Sequence, residues 1–346
     1  MGAMTPTIKR TVALALVAMA LAGLARWTGS PSSVWLLLLE PWLFAAAVAA
    51  MAGLALERKQ TGAIGVAALV IGGSLILRSP VAFDSPPVDR PRHLRELKGC
   101  AVLARDPAGP VRVAVWTVES ARATDTGIDA MLELKPDIVV LRGTDRPGVA
   151  MRLQDALSGE AKVSATPTGG LITVTRGNFQ YCGGEEDAWT FDLPSLEGRP
   201  SMGVVSFPYV DEVGVIPLVV GQVEGPVGLA DAFEWTQRVH SGAATTAAAV
   251  GLLGGANVVA VTDFFAPPHA MTLAQPLTQA GLRWASSGPN WPQRVGSVPE
   301  MGQHPLDQVW VGPKWTVQNT RVVAGSGHQR APVVVDLVSS KPRGQR

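Results

Sequence analysis

The sequence predicts one α/β domain preceded by three transmembrane helices. Three apolar segments occupy the first eighty residues, and beyond Ser79 short valine-rich runs alternate with Ala/Leu-rich helical stretches as far as Leu337. The 346 residues are 47% hydrophobic and only 16% charged, and the apolar excess lies in the N-terminal segments. We therefore expect a membrane anchor at 1–79, a linker at 80–108, the α/β domain at 109–338 and a disordered tail at 339–346.

The N-terminal segments 11–27, 34–56 and 62–78 are each close to the ~20 residues that cross a bilayer as a helix. Basic pairs at 9–10 and 58–59 mark the cytoplasmic side, so an odd number of spans places the large domain outside the cytoplasm, in a periplasmic or extracellular space. The first segment also has the features of a cleaved signal peptide, but the two segments that follow favour a retained anchor. The expected partners are the lipid bilayer and other membrane or envelope proteins.

Two charged residues fall inside the apolar segments. Arg26 ends the first, and Glu40 lies a turn or two into the second, so the turn at 28–33 would bring both to a similar depth. Pairing would lower a cost of ~2.5–3.5 kcal/mol per isolated charge. We expect a membrane ion pair; the alternative is a contact with another membrane subunit.

The chain has two cysteines, Cys100 and Cys182, and both lie in the part that is predicted to be outside the cytoplasm. An oxidising compartment would permit a disulfide, which is worth ~3–4 kcal/mol across a loop of this size. Two unpaired buried cysteines are the alternative. Neither cysteine lies near a second cysteine or a histidine cluster, which argues against a zinc or thiol site.

The charge balance argues against a nucleic-acid partner. Lys and Arg number 29 and Asp and Glu number 28, so the chain lacks the basic excess that releases counterions from phosphates. We expect no nucleic acid among its partners.

Six apolar, β-branched runs end in polar or small residues, which is how a buried strand delivers side chains to a site at its tip. They are 111–118, 136–144, 218–226, 258–268, 306–311 and 325–337. The helical candidates are 123–135, 149–158, 228–253 and 270–283.

The order and spacing of the six runs resemble the endonuclease/exonuclease/phosphatase superfamily over roughly residues 109–338. The resemblance implies a two-sheet α/β sandwich with its active site at one end of the sheets. It also implies that an Asn and a Glu end the first two strands and hold a divalent cation, that a His stabilises the phosphate, and that Gly-Asp-Phe-Asn and Ser-Asp-His motifs follow. By this match Asp263, Asp307 and His328 are retained, while the lost positions are Thr117, Gly143, Gln222, Phe265 and Gly327.

These losses predict a protein that binds rather than hydrolyses. Magnesium needs anionic oxygen ligands, and a base histidine needs a partner that fixes its tautomer. We therefore expect neither a bound metal cofactor nor phosphodiester hydrolysis, and interpret the domain as a binding or assembly subunit. The alternative is a phosphoesterase with atypical ligands, acting on a lipid or small phosphodiester at the membrane surface. Its Mg, Mn or Zn ion would be held by a shifted set of side chains: Asp145, Asp263, His269, Asp307 and His328.

Tryptophan is frequent for a chain with so few tyrosines, ten against two. The Gly/Pro/Ser-rich segment 283–297 carries Trp284 and Trp291, and tryptophan is enriched at protein interfaces. This segment is therefore the candidate recognition loop.

Overall fold

The structure, a computed structural model, describes residues 92–103, 107–117, 125–144, 155, 162–165, 170–180, 182, 188–193, 201–225, 232–266, 268, 270–286, 294–295, 298–299, 305–323 and 330–340. The three predicted spans, with Arg26 and Glu40, lie outside these residues. Within them, no helix is both long and apolar enough to cross a bilayer. The α/β prediction for the domain is confirmed.

The described chain begins with a 3₁₀ helix at Arg92–Leu103, and its α-helices are α1 (Asp125–Leu132), α2 (Ala232–Leu252) and α3 (Met271–Gln279). The strands are β1 (Val111–Thr117), β2 (Ile138–Thr144), β3 (Lys162–Ala165), β4 (Gly170–Thr175), β5 (Ala188–Asp192), β6 (Met202–Ser206), β7 (Tyr209–Val210), β8 (Gly214–Val215), β9 (Leu218–Gln222), β10 (Val259–Asp263), β11 (Arg283–Trp284), β12 (Arg294–Val295), β13 (Val298–Pro299), β14 (Gln308–Val311), β15 (Trp315–Val322) and β16 (Val333–Ser339).

Two six-stranded sheets share one pattern of strand directions. Their orders are β15-β16-β1-β2-β4-β3 and β11-β14-β10-β9-β6-β5. In each sheet a central parallel pair, β1 with β2 or β10 with β9, is flanked by antiparallel neighbours. The carboxyl ends of a parallel pair lie at the same edge of its sheet, so each sheet delivers two strand tips to one place.

The sheets pack face to face around valine-rich inner faces. Alternate residues of the central strands meet there, among them Val113, Val115, Val220, Val261 and Val335. Helices cover the two outer faces. The cluster of buried residues that includes Ile128 of α1 lies on the first sheet, and a larger cluster with α2 and α3 lies on the second. The fold is therefore a four-layered α/β sandwich, and the expected two-sheet architecture is confirmed.

The segment that was expected to be a linker contributes to the domain over its second half. Leu97 and Cys100 are buried against the second sheet's helices, and Leu103 packs beside them. Residues three apart lie on one face of a 3₁₀ helix, so this spacing buries a single apolar stripe. Residues 92–103, which were expected to belong to the linker 80–108, therefore form a helix that packs on the domain.

A disulfide joins Cys100 to Cys182, with 5.6 Å between the Cα atoms. The disulfide prediction is confirmed. It fastens the 3₁₀ helix to a segment that follows β4, where the indole of Trp189 also donates a hydrogen bond to the Cys182 carbonyl at 2.8 Å.

Three of the four helical candidates are confirmed as α1, α2 and α3. The candidate at 149–158 lies outside the described residues except for position 155. Ser339, which was expected to open the disordered tail, is the last residue of β16, and residues 341–346 lie outside the described residues. Ser340 is also held, because its amide donates a hydrogen bond to the Lys314 carbonyl at 2.7 Å.

Candidate functional site

Four polar residues continue the inward-facing alternation of the central strands. Thr117 follows Val115 at the tip of β1, and Asp263 ends β10 in the same way after Val261. Arg142 pairs in register with Thr117 across the first sheet. Asp307 immediately precedes β14, two residues before the inward-facing Val309. Because successive side chains of a strand point to opposite faces, all four meet in the last layer between the sheets.

Arginine side chains occupy this layer together with the two aspartates. Arg142 donates from Nη2 to Asp307 Oδ1 at 2.5 Å and lies 4.0 Å from Asp263 Oδ2. Arg330 donates from Nη1 to Asp263 Oδ2 at 2.8 Å and lies 3.6 Å from Asp307 Oδ1. The Thr117 hydroxyl bridges both carboxylates, donating toward Asp263 Oδ2 at 3.2 Å and Asp307 Oδ1. We call these five residues the strand-tip cluster.

The strand-tip cluster is buried and its formal charges cancel. The side chains of Arg142 and Asp307 are fully inaccessible to solvent, and those of Arg330 and Asp263 are nearly so. Burial raises the pKa of Asp263, but the guanidinium groups of Arg330 and Arg142 outweigh it and hold that pKa below its ordinary value. Two aspartates and two arginines therefore form ion pairs with one another.

Arg330 is fixed at its backbone by the first sheet. The indole of Trp116, on the outer face of β1, donates to the Arg330 carbonyl at 3.0 Å. The guanidinium lies 5.4 Å from the centre of the Phe265 ring, within the range of a cation–π contact. The chain just before β16 is thereby joined to β1, to Asp263 and to the turn after β10.

Phe265 closes this end of the sandwich in an unusual backbone conformation. Its φ is +54°, in the left-handed region that bulky residues rarely adopt. Its amide donates to Asp263 Oδ1 at 3.4 Å. Its ring lies on Gly225, where an added Cβ would be 3.0 Å from the ring's Cγ. A side chain at this position would require the ring to move by a few tenths of an ångström.

The strand register shows which side chain lies beside Thr117. Gly143 was matched to the family's glutamate, yet the residue beside Thr117 on the inner face is Arg142. Pairing between β2 and β4 shifts after Arg142, so Gly143 falls at an irregularity. Gln222 is in register with Asp263 at the tip of β9, and its amide donates to Glu224 Oε1 at 3.2 Å.

Several predicted site residues lie outside the described residues: Asp145, His269, Gly327, His328 and Trp291. The atypical metal set is therefore represented only by Asp263 and Asp307, which are brought together. Trp284 is exposed on edge strand β11, and its indole donates to the Ser286 hydroxyl at 2.9 Å. The recognition role of this loop remains a prediction.

The strand-tip cluster does not suit the divalent cation that the fold family implies. Its oxygen donors are two carboxylates and a hydroxyl, and both carboxylates already accept bonds from guanidinium groups. A dication about 4 Å from a guanidinium would be repelled by about 8 kcal/mol at the effective dielectric of protein sites near the surface. Over the described part of the chain, no group of three or more His, Cys, Asp or Glu side chains is placed to hold a metal.

Sequence reasoning missed both arginines. Arg142 could have been found from the alternation of side chains along the strand, because it is a lone charge at an inward-facing position of the apolar run 138–144. There was no such indication in the sequence for Arg330, because this residue precedes β16 and does not belong to its alternating pattern of side chains.

Comparisons with solved structures show the same fold. An endonuclease/exonuclease/phosphatase from Beutenbergia cavernae superposes with a TM-score of 0.50 at 16% identity, over 68% of this chain and 72% of that chain. One from Bacteroides vulgatus gives a TM-score of 0.52 at 13% identity, over 67% of this chain and 99% of that chain. No family model and no curated protein matches the sequence. At these identities the likeness concerns the fold alone.

Proposed function

We propose that the domain does not hydrolyse phosphodiesters and acts as a binding or assembly subunit of a membrane complex. The observation that carries the proposal is the neutralisation of Asp263 and Asp307 by two buried arginines. Carboxylates that are bonded to guanidinium groups are not free to hold a hard cation, so the electrostatic support for water attack on phosphorus is missing.

The side chains at the tips of β1 and β2 both bind the same aspartate. A hydroxyl stands at the tip of β1 and a guanidinium at the tip of β2, and both bond to Asp307. Breaking a buried ion pair costs about 3–5 kcal/mol, so a metal would have to displace Arg142 against that cost as well as charge repulsion. The cluster stabilises a resting, metal-free arrangement.

The predicted membrane anchor determines where this subunit would act. The three predicted N-terminal spans, with their distribution of basic residues, would put the domain outside the cytoplasm. The Cys100–Cys182 disulfide supports that side, because disulfides persist in oxidising compartments. Its partners would be other membrane or envelope proteins, contacted through the domain surface or the spans.

The test uses the full-length protein purified in mild detergent. Calorimetric titration with Mg²⁺ and Mn²⁺ should show no binding at about millimolar concentration. The protein should not turn over bis(p-nitrophenyl) phosphate in the presence of either ion. Metal-dependent turnover that disappears in Asp263→Asn would overturn the proposal and establish the atypical phosphoesterase.

Affinity purification of the same protein tests the assembly role. We expect membrane subunits to co-purify in fixed proportion and to be reduced by Trp284→Ala, because an exposed tryptophan is a typical anchor of an interface. Val102→Ala is the matched control, since Val102 is also an exposed apolar residue but lies on the 3₁₀ helix. A protein that purifies alone would contradict the assembly role.

A further inference from the structure

The 3₁₀ helix at Arg92–Leu103 is docked on the domain through a narrow apolar stripe. Over residues 97–103, Leu97 and Cys100 are buried and Leu103 is half-buried, and all three pack in the cluster that includes α2. The four residues between them are exposed or half-exposed. Apolar contact therefore holds this part of the helix along one edge only.

The backbone of this helix is unfavourable over its length. The hydrogen bonds of a 3₁₀ helix are poorly aligned, and runs longer than about three or four residues are uncommon. This helix continues for 12 residues. It contains Gly99, and glycine loses more conformational freedom on folding than any other residue. A Cβ added at Gly99 would meet nothing within 4 Å, so packing does not require the glycine. The segment's own preference therefore adds little to its docking.

The Cys100–Cys182 disulfide supplies the covalent part of the docking. Cys100 belongs to the apolar stripe, whereas Cys182 precedes β5 and its carbonyl accepts a hydrogen bond from the Trp189 indole. Cys100 is 1% exposed and Cys182 is half-buried, so Cys182 is the more accessible member of the pair. Access to a sulfur is one of the factors that set the rate of thiol–disulfide exchange.

We propose that this disulfide is a redox switch, and that its reduction releases the 3₁₀ helix while the sandwich stays folded. The reductant is a dithiol, whose thiolate attacks the Cys182 sulfur so that the Cys100 sulfur leaves and takes a proton. The second thiol of the reductant then attacks the mixed disulfide and displaces Cys182. The reductant thereby gives up two electrons and two protons and becomes a disulfide, and the protein gains two thiols.

The sandwich does not depend on the helix for its own contacts. Its sheets are joined by the valine-rich inner faces and by the strand-tip cluster, and neither includes a residue of the helix. Local openings of this kind, in which one weakly packed unit detaches from a stable core, are common in proteins. Release of the helix would uncover the part of α2 against which it packs.

Release would also lengthen the connection between the domain and the predicted anchor. A 3₁₀ helix rises about 2.0 Å per residue and an extended chain about 3.3–3.6 Å, so these residues would reach roughly 40 Å instead of roughly 24 Å. The redox state of the compartment would then set how far the domain extends from the bilayer. The switch itself is independent of the proposed function, which concerns metal binding and hydrolysis.

Hydrogen exchange measured by mass spectrometry tests the switch on the full-length protein in mild detergent. Dithiothreitol is the reductant, and alkylation of both thiols in a parallel sample verifies that reduction is complete. We expect amide exchange across 92–103 to accelerate at least about tenfold, while β1 and β10 exchange at the rates of the oxidised protein. Reoxidation with oxidised glutathione should restore slow exchange in the helix.

Two variants sharpen the test. Combining Cys100→Ser with Cys182→Ser should give the fast exchange of 92–103 without reductant, and dithiothreitol should change nothing further in that protein. Gly99→Ala keeps both cysteines and has open space for its methyl group. It should slow exchange of the reduced helix about threefold, because alanine loses less conformational freedom than glycine on folding.

Slow exchange that persists across 92–103 after complete reduction would overturn the inference. Faster exchange of β1 and β10 as well would also overturn it, because the disulfide would then stabilise the whole domain. So would a native disulfide that resists dithiothreitol, or equal exchange rates of reduced wild type and reduced Gly99→Ala. The wild-type measurement needs no variant, so it decides the matter even if the serine variant does not fold. Failure here leaves the proposed function intact.

Discussion

Replacing Arg142 by methionine should destabilise the domain far more than removal of an exposed arginine. Arg142 and Asp307 are both fully buried and their charged atoms lie 2.5 Å apart. Methionine would remove the nearer of the two arginines from Asp307 and leave Arg330 at 3.6 Å and the Thr117 hydroxyl among its polar neighbours. Leaving one member of a buried pair uncompensated costs about 3–5 kcal/mol. Because Arg330 remains nearby, we expect the lower end of that range.

The chain offers a matched control. Arg112 and Asp336 are also 2.5 Å apart, but their side chains are 33% and 18% exposed. Solvent screens such a pair, so Arg112→Met should cost only about 1 kcal/mol. Both substitutions remove a guanidinium that lies 2.5 Å from a carboxylate, and only the Arg142 pair is fully buried.

Urea denaturation followed by tryptophan fluorescence measures both costs. For a domain of this size, 3 kcal/mol corresponds to a fall in melting temperature of about 6–12 °C. Adding Asp307→Asn to Arg142→Met should recover part of the loss, since it removes the uncompensated charge. An Arg142→Met cost no larger than that of Arg112→Met, or strict additivity in the double variant, would refute the buried pair.

Four further predictions follow from other features. The pKa of Asp263 is lower in the folded protein than in the unfolded chain. Its carboxylate therefore adds stability above the unfolded-state pKa, and this stability is lost as the pH falls through the folded-state pKa. Asp263→Asn should therefore remove part of the acid dependence that is measured by urea midpoints below about pH 4. Serine at both Cys100 and Cys182 should cost about 4 kcal/mol, and mass spectrometry of the unreduced wild type should show the linked peptides; free alkylation of both thiols in the folded protein would contradict this. Phe265→Asn should be about 1 kcal/mol more stable than Phe265→Ala, because both lose the ring but asparagine tolerates a positive φ; equal unfolding midpoints would exclude backbone strain there. A reporter that is active only in the cytoplasm should be silent when fused after the last residue, and activity would reverse the predicted orientation.

The main strands of the sandwich could be predicted because their pattern is local. The runs at 111–118 and 258–268 contain β1 and β10, and each has the β-branched, apolar character of a buried strand. The disulfide could be predicted as well, since two cysteines in one compartment allow a single pairing. These features depend on composition and spacing along short stretches.

The strand-tip cluster could not be predicted in the same way. Arg142 and Asp307 are 165 residues apart, and only the closure of two sheets brings them together. Gly143, which was matched to the family's glutamate, lies at the irregularity next to Arg142, and the motif alone does not reveal that neighbour. An aspartate that matches a family motif can therefore have a partner that the motif does not predict, here an arginine.

The inner layers of this sandwich and its last layer are held by different forces. Valines fill the middle, where cohesion scales with the apolar area that is removed from water. At the strand tips, ion pairs between the aspartates and arginines join the two sheets. The desolvation cost of such ion pairs falls as temperature rises, while hydrophobic stabilisation per unit area levels off. Warming therefore shifts the relative strength of the two regions in favour of the tips. The strand-tip cluster should therefore supply a larger share of the domain's stability at high temperature than at low temperature.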